Sequence, residues 1–326
     1  MPSKPFDLQA IEYKYAMISA TEVPQSGDPV FTPTHYSNTP CFRHHCDTAD
    51  QPMQPSKTPL RSLLIGVALL FWSAPALALP CQSDGSFDAW LEAFKGEAAK
   101  QGISQRAIAA ALTGLTFDPS VIAHDRGQRV FQQSFEEFSG RMISADRLRK
   151  GSNLLKQYAG TFVRIEQQFG VQAPVLVAIW GLETDFGVNI GKYATIRSLA
   201  TLAYDCRRSE KFSAELMDAL RIVDRGDLAP ADMRGAWAGE IGQTQFLPSS
   251  YLKFAVDFDG NGKRDLVRSA PDVLASTANY LKGYGWKAGQ PWTPGSANFE
   301  VLQQWNKSDV YSKTVALFAT KLDQAP

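Results

Sequence analysis

The run from Pro174 to Gly187, PVLVAIWGLETDFG, constrains the fold of this chain more than any other stretch. It is almost wholly apolar, opens on a proline suited to a first helical turn and closes on a glycine suited to a helix end, so it predicts a short buried helix. One carboxylic acid, Glu183, sits near its end. Leu176, Ile179, Trp180 and Phe186 lie three, four or seven residues away, which at helical spacing puts them on the same stripe. A carboxyl held among apolar side chains keeps its proton more readily than one in water, and a group that gives up a proton and takes it back needs that property. Asp185, two positions on, points to another side of the helix and offers no partner. Taken alone, the run also fits a Glu that simply reaches solvent at a helix end.

The chain ahead of the helical part changes character at Met53. Residues 1–52 scatter proline, serine and threonine without helical or alternating apolar period and do not read as folded. From Met53 the sequence runs MQPSKTPLRSLLIGVALLFWSAPALALPC, with Lys57 and Arg61 as a basic lead, Leu63 to Trp72 as an apolar core and Ala76-Leu77-Ala78 as a small-residue cleavage site. Residues 53–78 are therefore expected to be a secretory signal peptide. The apolar run is about half of the ~20 residues that a membrane span needs. A signal starts close to its initiator, so Met53 is the expected true start and residues 1–52 an upstream extension. Residues 79–326 are then the mature domain, exported to the periplasm with no transmembrane span. Ala78, Leu79 and Pro80 lack the small residue that directly precedes an acylated cysteine, so no lipid anchor at Cys81 is expected.

Two cysteines, Cys81 and Cys206, remain in the mature part. In an oxidising compartment such a pair reads as a disulfide, with two buried thiols as the alternative. Its long loop gives a chain-entropy stabilisation of ~4–5 kcal/mol. The 33 basic and 33 acidic side chains sum to a formal net charge of zero, which offers no field for nucleic acid or an anionic membrane, and neither is an expected partner.

From Phe87 on, the period is helical almost throughout. Helices are predicted from Phe87 to a stop at Gly102, from Ser104 to Leu112, from Pro119 to Gly140 and from Ser144 to Phe169. Phe138 in the third is a candidate for stacking on a sugar, although its aromatics suit a core. Further helices are predicted at 195–204, 209–225 and 272–284, and a last one from about Val310 to Leu322. Between them, AWAGEIGQTQFLPSSY crowds glycines, Gln243, Gln245, Ser249 and Ser250 into a few positions, as a loop that approaches a ligand closely requires. The next segment, DFDGNGKRD, puts Asp257, Asp259, Asn261 and Asp265 at positions 1, 3, 5 and 9 of an EF-hand-type loop with Gly262 at position 6. Position 12 is Arg268 in place of the bidentate Glu, and Asp272 is a candidate for the missing carboxylate. A loop of Asx-turns without an ion is the alternative.

These segments, together with ANYLKGYGW and WNKSDVY, resemble the lytic murein transglycosylases of the membrane-bound type B family, glycoside hydrolase family 103, from about Phe87 to Leu322. The resemblance implies a mainly α, lysozyme-like (goose-type-like) catalytic domain with small loop and β elements and an EF-hand-like loop. It implies cleavage of the β-1,4 bond between N-acetylmuramic acid and N-acetylglucosamine without water, with Glu183 as acid and then base and a 1,6-anhydro end as product. One carboxyl without a partner agrees with that, since glycosidases that hydrolyse normally use two. The resemblance also implies sugar contacts at Gln245, Tyr280, Asn306 and Tyr311. It implies no required cofactor, a structural calcium on Asp257, Asp259, Asn261, the Lys263 carbonyl and Asp272, and glycan strands and cell-wall enzyme complexes as partners. The chain departs from the family's Gly-Ala-Met-Gly turn at Gly239-Glu240-Ile241-Gly242. Glu240 is expected to be structural or turned to solvent. An acid there that activated water would make a hydrolytic muramidase, and a glycan-binding protein without chemistry is the third reading.

Overall fold

The computed structural model describes residues 85–127 and 133–325. Those residues are mostly helical: α1 (Phe87–Lys100), α2 (Gln105–Leu112), α3 (Pro119–Gly127), α4 (Phe135–Met142), α5 (Ala145–Gln157), α6 (Ala159–Phe169), α7 (Ala173–Thr184), α8 (Thr195–Tyr204), α9 (Ser209–Arg225), α10 (Pro248–Phe254), α11 (Ala270–Gly283), α12 (Ala297–Trp305) and α13 (Asp309–Asp323). A short antiparallel ribbon pairs β1 (Tyr193–Ala194) with β2 (Arg234–Gly235), Tyr193 opposite Gly235. Many helix starts are written as serine. Ser86, Ser104, Ser134, Ser144, Ser269, Ser296 and Ser308 each accept the backbone N–H three residues on, a contact worth ~1 kcal/mol apiece.

The central element is α7. Every residue from Val175 to Thr184 is buried, because a helix apolar on all sides has no face to offer water. It packs against α13, α5, α11 and α6. At Gly181 a Cβ would stand 2.8 Å from the Phe186 ring and 3.0 Å from Phe318, so only glycine lets α13 and the returning chain close on the helix here.

Helix boundaries differ from the sequence expectation at three places. The helix expected over Pro119–Gly140 is not continuous: Ser134 is extended and opens α4 with a capping box to Glu137. The helix expected over Ser144–Phe169 breaks at Tyr158, whose backbone (φ −102°, ψ 18°) leaves the helical region while its ring packs edge-on to Trp180. The organising helix stops at Thr184, three residues before Gly187, because Asp185 and Phe186 turn left-handed at φ 53° and 61°. The short helices α10 and α12 are not among the elements the sequence predicts.

A buried acid joins α9 to α10. Glu215 accepts from Ser249 N at 2.9 Å and from Ser249 Oγ at 2.7 Å, capping the first turn of α10. Burial raises its carboxyl above the ordinary 4.5, outweighing those hydrogen bonds, with the charge of Asp218 adding to the effect. The folded state therefore holds this proton more tightly than the unfolded chain. The stabilisation is complete below the unfolded value and is lost as pH rises through the folded one. Urea unfolding at a series of pH values upward from 4.5 is expected to show Glu215→Gln gaining on the wild type as pH rises, whereas parallel curves would assign the residue no such part.

Candidate active site

Glu183 lies one residue before the end of α7 and is 1% exposed. An acid that deep needs donors. Two reach the same atom from the C-terminal helices: Trp305 Nε1, at the last residue of α12, and the Tyr311 hydroxyl, in the first turn of α13, each donate to Glu183 Oε1 at 2.8 Å. The corner between them is rigid. Asn306 Oδ1 accepts from Ser308 N at 2.9 Å, Ser308 Oγ accepts from Tyr311 N, and Ser312 Oγ donates to the Asn306 carbonyl at 3.0 Å. Burial first, then the charge of Glu183, holds the Tyr311 hydroxyl well above the ordinary tyrosine range, so it keeps its proton and donates.

Trp305 also faces a cleft of about 220 Å³ that is lined by Lys211, Phe246, Tyr280, Asn306 and Lys307 among other described residues, none of them acidic. Phe246 and Tyr280 set their rings against Trp305 at 5.5 and 4.9 Å between centroids, and Tyr280 lies 4.6 Å from Tyr284. Aromatic edges and faces with a few amides and hydroxyls suit a sugar, whose rings have apolar faces and polar rims. Glu183 meets this cleft through Trp305.

Of the residues expected to touch sugar, Tyr280 and Asn306 line the cleft, and so does Gln245. The Tyr280 hydroxyl donates to the Gln304 carbonyl at 3.0 Å, and burial followed by the neighbouring Tyr284 raises it above the ordinary range. Asn306 is buried, and its Nδ2 makes no hydrogen bond within the described protein. Gln245, at φ 53°, commits its amide to the backbone: Nε2 donates to the Ile190 and Gly242 carbonyls at 2.9 and 2.6 Å, and Oε1 accepts from Ala236 N at 2.9 Å. Two expectations need correction. Tyr311 is 1% exposed and turned inward onto Glu183, because the α12–α13 corner aims it there. Phe138 is fully buried beneath the Arg141 guanidinium and belongs to the core. For Glu240, expected to be structural or turned to solvent, burial removes the second alternative: it is fully buried, off the cleft lining, and its carbonyl accepts from Thr195 Oγ1 at 2.7 Å.

The loop after α10 gathers acids. Oxygens of Asp257, Asp259 and Asp272 lie within 4.8 Å of one another. Asp257 accepts from the N–H groups of Gly260, Asn261 and Gly262, while Asp272, fully buried, accepts from those of Phe258, Asp259 and Asp265. Burial, opposed by those three N–H groups and aided by the charge of Asp259, leaves the Asp272 carboxyl above its ordinary value. Asp265 is turned away from the cluster, accepting from Val267 N and Arg268 N. The oxygen-only donor set suits a hard cation. Cys206 follows α8; its expected partner Cys81, the signal segment 53–78 and residues 1–52 lie outside the described residues. Among the described residues no helix is long and apolar enough to cross a membrane.

Sequence reasoning missed Trp305 as a ligand of Glu183. The signal was present: a tryptophan ends one helix, and a tyrosine sits in the first turn of the next, across an Asn-Lys-Ser corner.

With a mainly helical fold and a buried carboxyl beside an aromatic cleft in place, residues 86–296 match the family model described as transglycosylase SLT domain, so the chain belongs to that family. The membrane-bound lytic murein transglycosylase B of Escherichia coli (strain K12) is 37% identical over 150 residues, 46% of this chain and 41% of that protein's length. SltB3 of Pseudomonas aeruginosa, solved in complex with NAG-NAM-pentapeptide, superposes with a TM-score of 0.71 at 33% identity over 74% of this chain and 81% of its own. The Escherichia coli lytic transglycosylase Slt35, solved in complex with calcium, gives 0.63 at 25% identity over 72% and 92%.

Removing a donor from a buried carboxyl is costly. Trp305→Phe and Tyr311→Phe are each expected to lose about 1–3 kcal/mol of unfolding free energy in urea. Tyr280→Phe, whose hydroxyl bonds at the exposed rim, is expected to cost less than about 1 kcal/mol in the same assay.

Proposed function

We propose that this chain is a lytic murein transglycosylase that cleaves the β-1,4 bond between N-acetylmuramic acid and N-acetylglucosamine, with Glu183 as the one acid and base. The observation that carries the reading is the buried Glu183 carboxyl, held at Oε1 by Tyr311 and by Trp305, whose ring lines a cleft with no acid among its described residues. Glu183 gives its proton to the glycosidic oxygen as the bond from C1 to that oxygen breaks. The muramyl 6-hydroxyl then bonds to C1 and its proton passes to Glu183, which restores the acid and closes a 1,6-anhydro ring. No water is consumed. Hydrolysis would call for a second carboxylate to activate water, and none of the described residues that line the cleft is an acid. Tyr280 supplies a ring for a sugar face and Asn306 an amide for sugar hydroxyls, with Gln245 holding the loop that carries Phe246.

Calcium fits the loop at Asp257, Asp259 and Asp272, completed by the Asn261 amide oxygen and the Lys263 carbonyl, and its chemistry there is to neutralise three crowded carboxylates. We further read the protein as exported to the periplasm behind the signal at 53–78, with Cys206, which carries no free thiol, paired to Cys81, and as a candidate member of cell-wall enzyme complexes.

Mass spectrometry of murein digested by the purified protein tests the activity: anhydromuramyl ends are expected from the wild type, and Glu183→Gln is expected to lose at least about 100-fold of the rate. Reducing ends would mean hydrolysis, and intact strands a binding protein. For the cation, calcium at about 100 times its dissociation constant is expected to add about 2.7 kcal/mol to stability, and Asp272→Asn is expected to abolish that gain in calorimetry. A wild type that melts identically with calcium and with chelator would leave the loop without an ion.

A further inference from the structure

We propose that Gln243 is a positioning residue for Glu183, a strut that fixes the end of α7 against the exit of the acidic loop. Its kinetic consequence rests on the transglycosylase reading; its structural one does not. All four polar groups of Gln243 are engaged, and they face two ways. Toward α7, its Oε1 accepts from Trp180 Nε1 at 2.8 Å and its carbonyl accepts from Thr184 Oγ1 at 2.6 Å. Toward the loop exit, its N–H donates to the Leu266 carbonyl and its Nε2 to the Val267 carbonyl, both at 2.9 Å. Trp180 is one turn before Glu183 and Thr184 is the residue after it, so the strut grips both flanks of the acid without touching it.

The grip is matched to what α7 needs at that point. The helix leaves through Asp185 and Phe186, left-handed non-glycine residues whose conformations persist only when neighbours hold them. Gly187 then lies so close to the strut that a Cβ would stand 2.3 Å from Gln243 Oε1, and its N–H donates to Thr184 Oγ1 at 2.9 Å. On the other side, Val267 N and Arg268 N are held by Asp265 Oδ1, and Asp265 N by Asp272 Oδ2, each at 2.9 Å. A hydrogen-bonded run therefore joins the acidic cluster to the two residues that bracket Glu183. Only a side chain of this length with both an acceptor and a donor at its tip closes the run; Glu keeps the acceptor for Trp180 and, when ionised, loses the donor to Val267.

The test compares wild type, Gln243→Leu and Gln243→Glu with calcium present. On soluble muropeptide oligomers, Gln243→Leu is expected to lower kcat about 10- to 100-fold while KM stays within about twofold, because misplacement of the acid affects chemistry more than binding. Gln243→Glu is expected to fall between. Independently of chemistry, the Trp305 indole N–H, bonded to Glu183 and not to Gln243, is expected to exchange with solvent about tenfold faster in the Leu variant when followed by NMR. Should Gln243→Leu fail to fold, Gln243→Glu carries both measurements. Wild-type exchange at Trp305 in a folded variant overturns the proposal, as does a kcat within about twofold of the parent. A wild type that forms no anhydro ends would sink the activity reading alone, and the exchange measurement would still decide this one.

Discussion

A buried carboxyl is tolerated in a protein only where donors meet it, and much of this molecule is arranged around that demand at Glu183. Trp305 and Tyr311 answer it from two different helices, and the corner that joins those helices is fixed by Asn306, Ser308 and Ser312. The consequence is a group whose position is set by α12 and α13 as much as by its own helix. Since Trp305 also forms the cleft wall with Phe246 and Tyr280, the aromatic cleft and the buried acid are joined through one side chain.

The end of α7 is where this arrangement is most strained. Two non-glycine residues in left-handed conformation turn the chain back at once after Thr184, a geometry costing roughly 1–2 kcal/mol per residue. Several contacts offset it. Asp185 pairs with Arg147 and Lys150, Phe186 lies edge-on to Trp180 under the Lys150 ammonium, and Gln243 ties the flanks of Glu183 to the loop beyond. Conformations of this kind at the end of a central helix persist only where the surrounding structure over-determines them, at the expense of local stability.

Most of the helix order, the caps at Ser104 and Ser144 and the central apolar run were legible in the chain because each depends on local chemistry: a hydroxyl at a helix start, a 3.6-residue period, a stretch with no polar face. Boundaries failed where a tertiary contact overrode the period, as at Tyr158, whose ring sits against Trp180, and at Asp185, which turns to meet Arg147. Side-chain direction at the candidate site was less legible, because it depends on contacts between distant segments: Tyr311 faces Glu183, Gln245 holds backbone, and Phe138 is core.

The sequence by itself determined that Glu183 would sit in a helical run with almost no polar face, that acidic and amide side chains would crowd the segment from Asp257 to Asp265, and that the chain from Phe87 on would be nearly all helix. These follow from side-chain type and spacing along one segment. Only the tertiary structure decided which atoms meet that acid. Glu183 lies more than a hundred residues before Trp305 and Tyr311, and so distant a pairing is set by how α7 packs against α13 and by the direction in which a capped corner points its rings, neither of which any local pattern encodes.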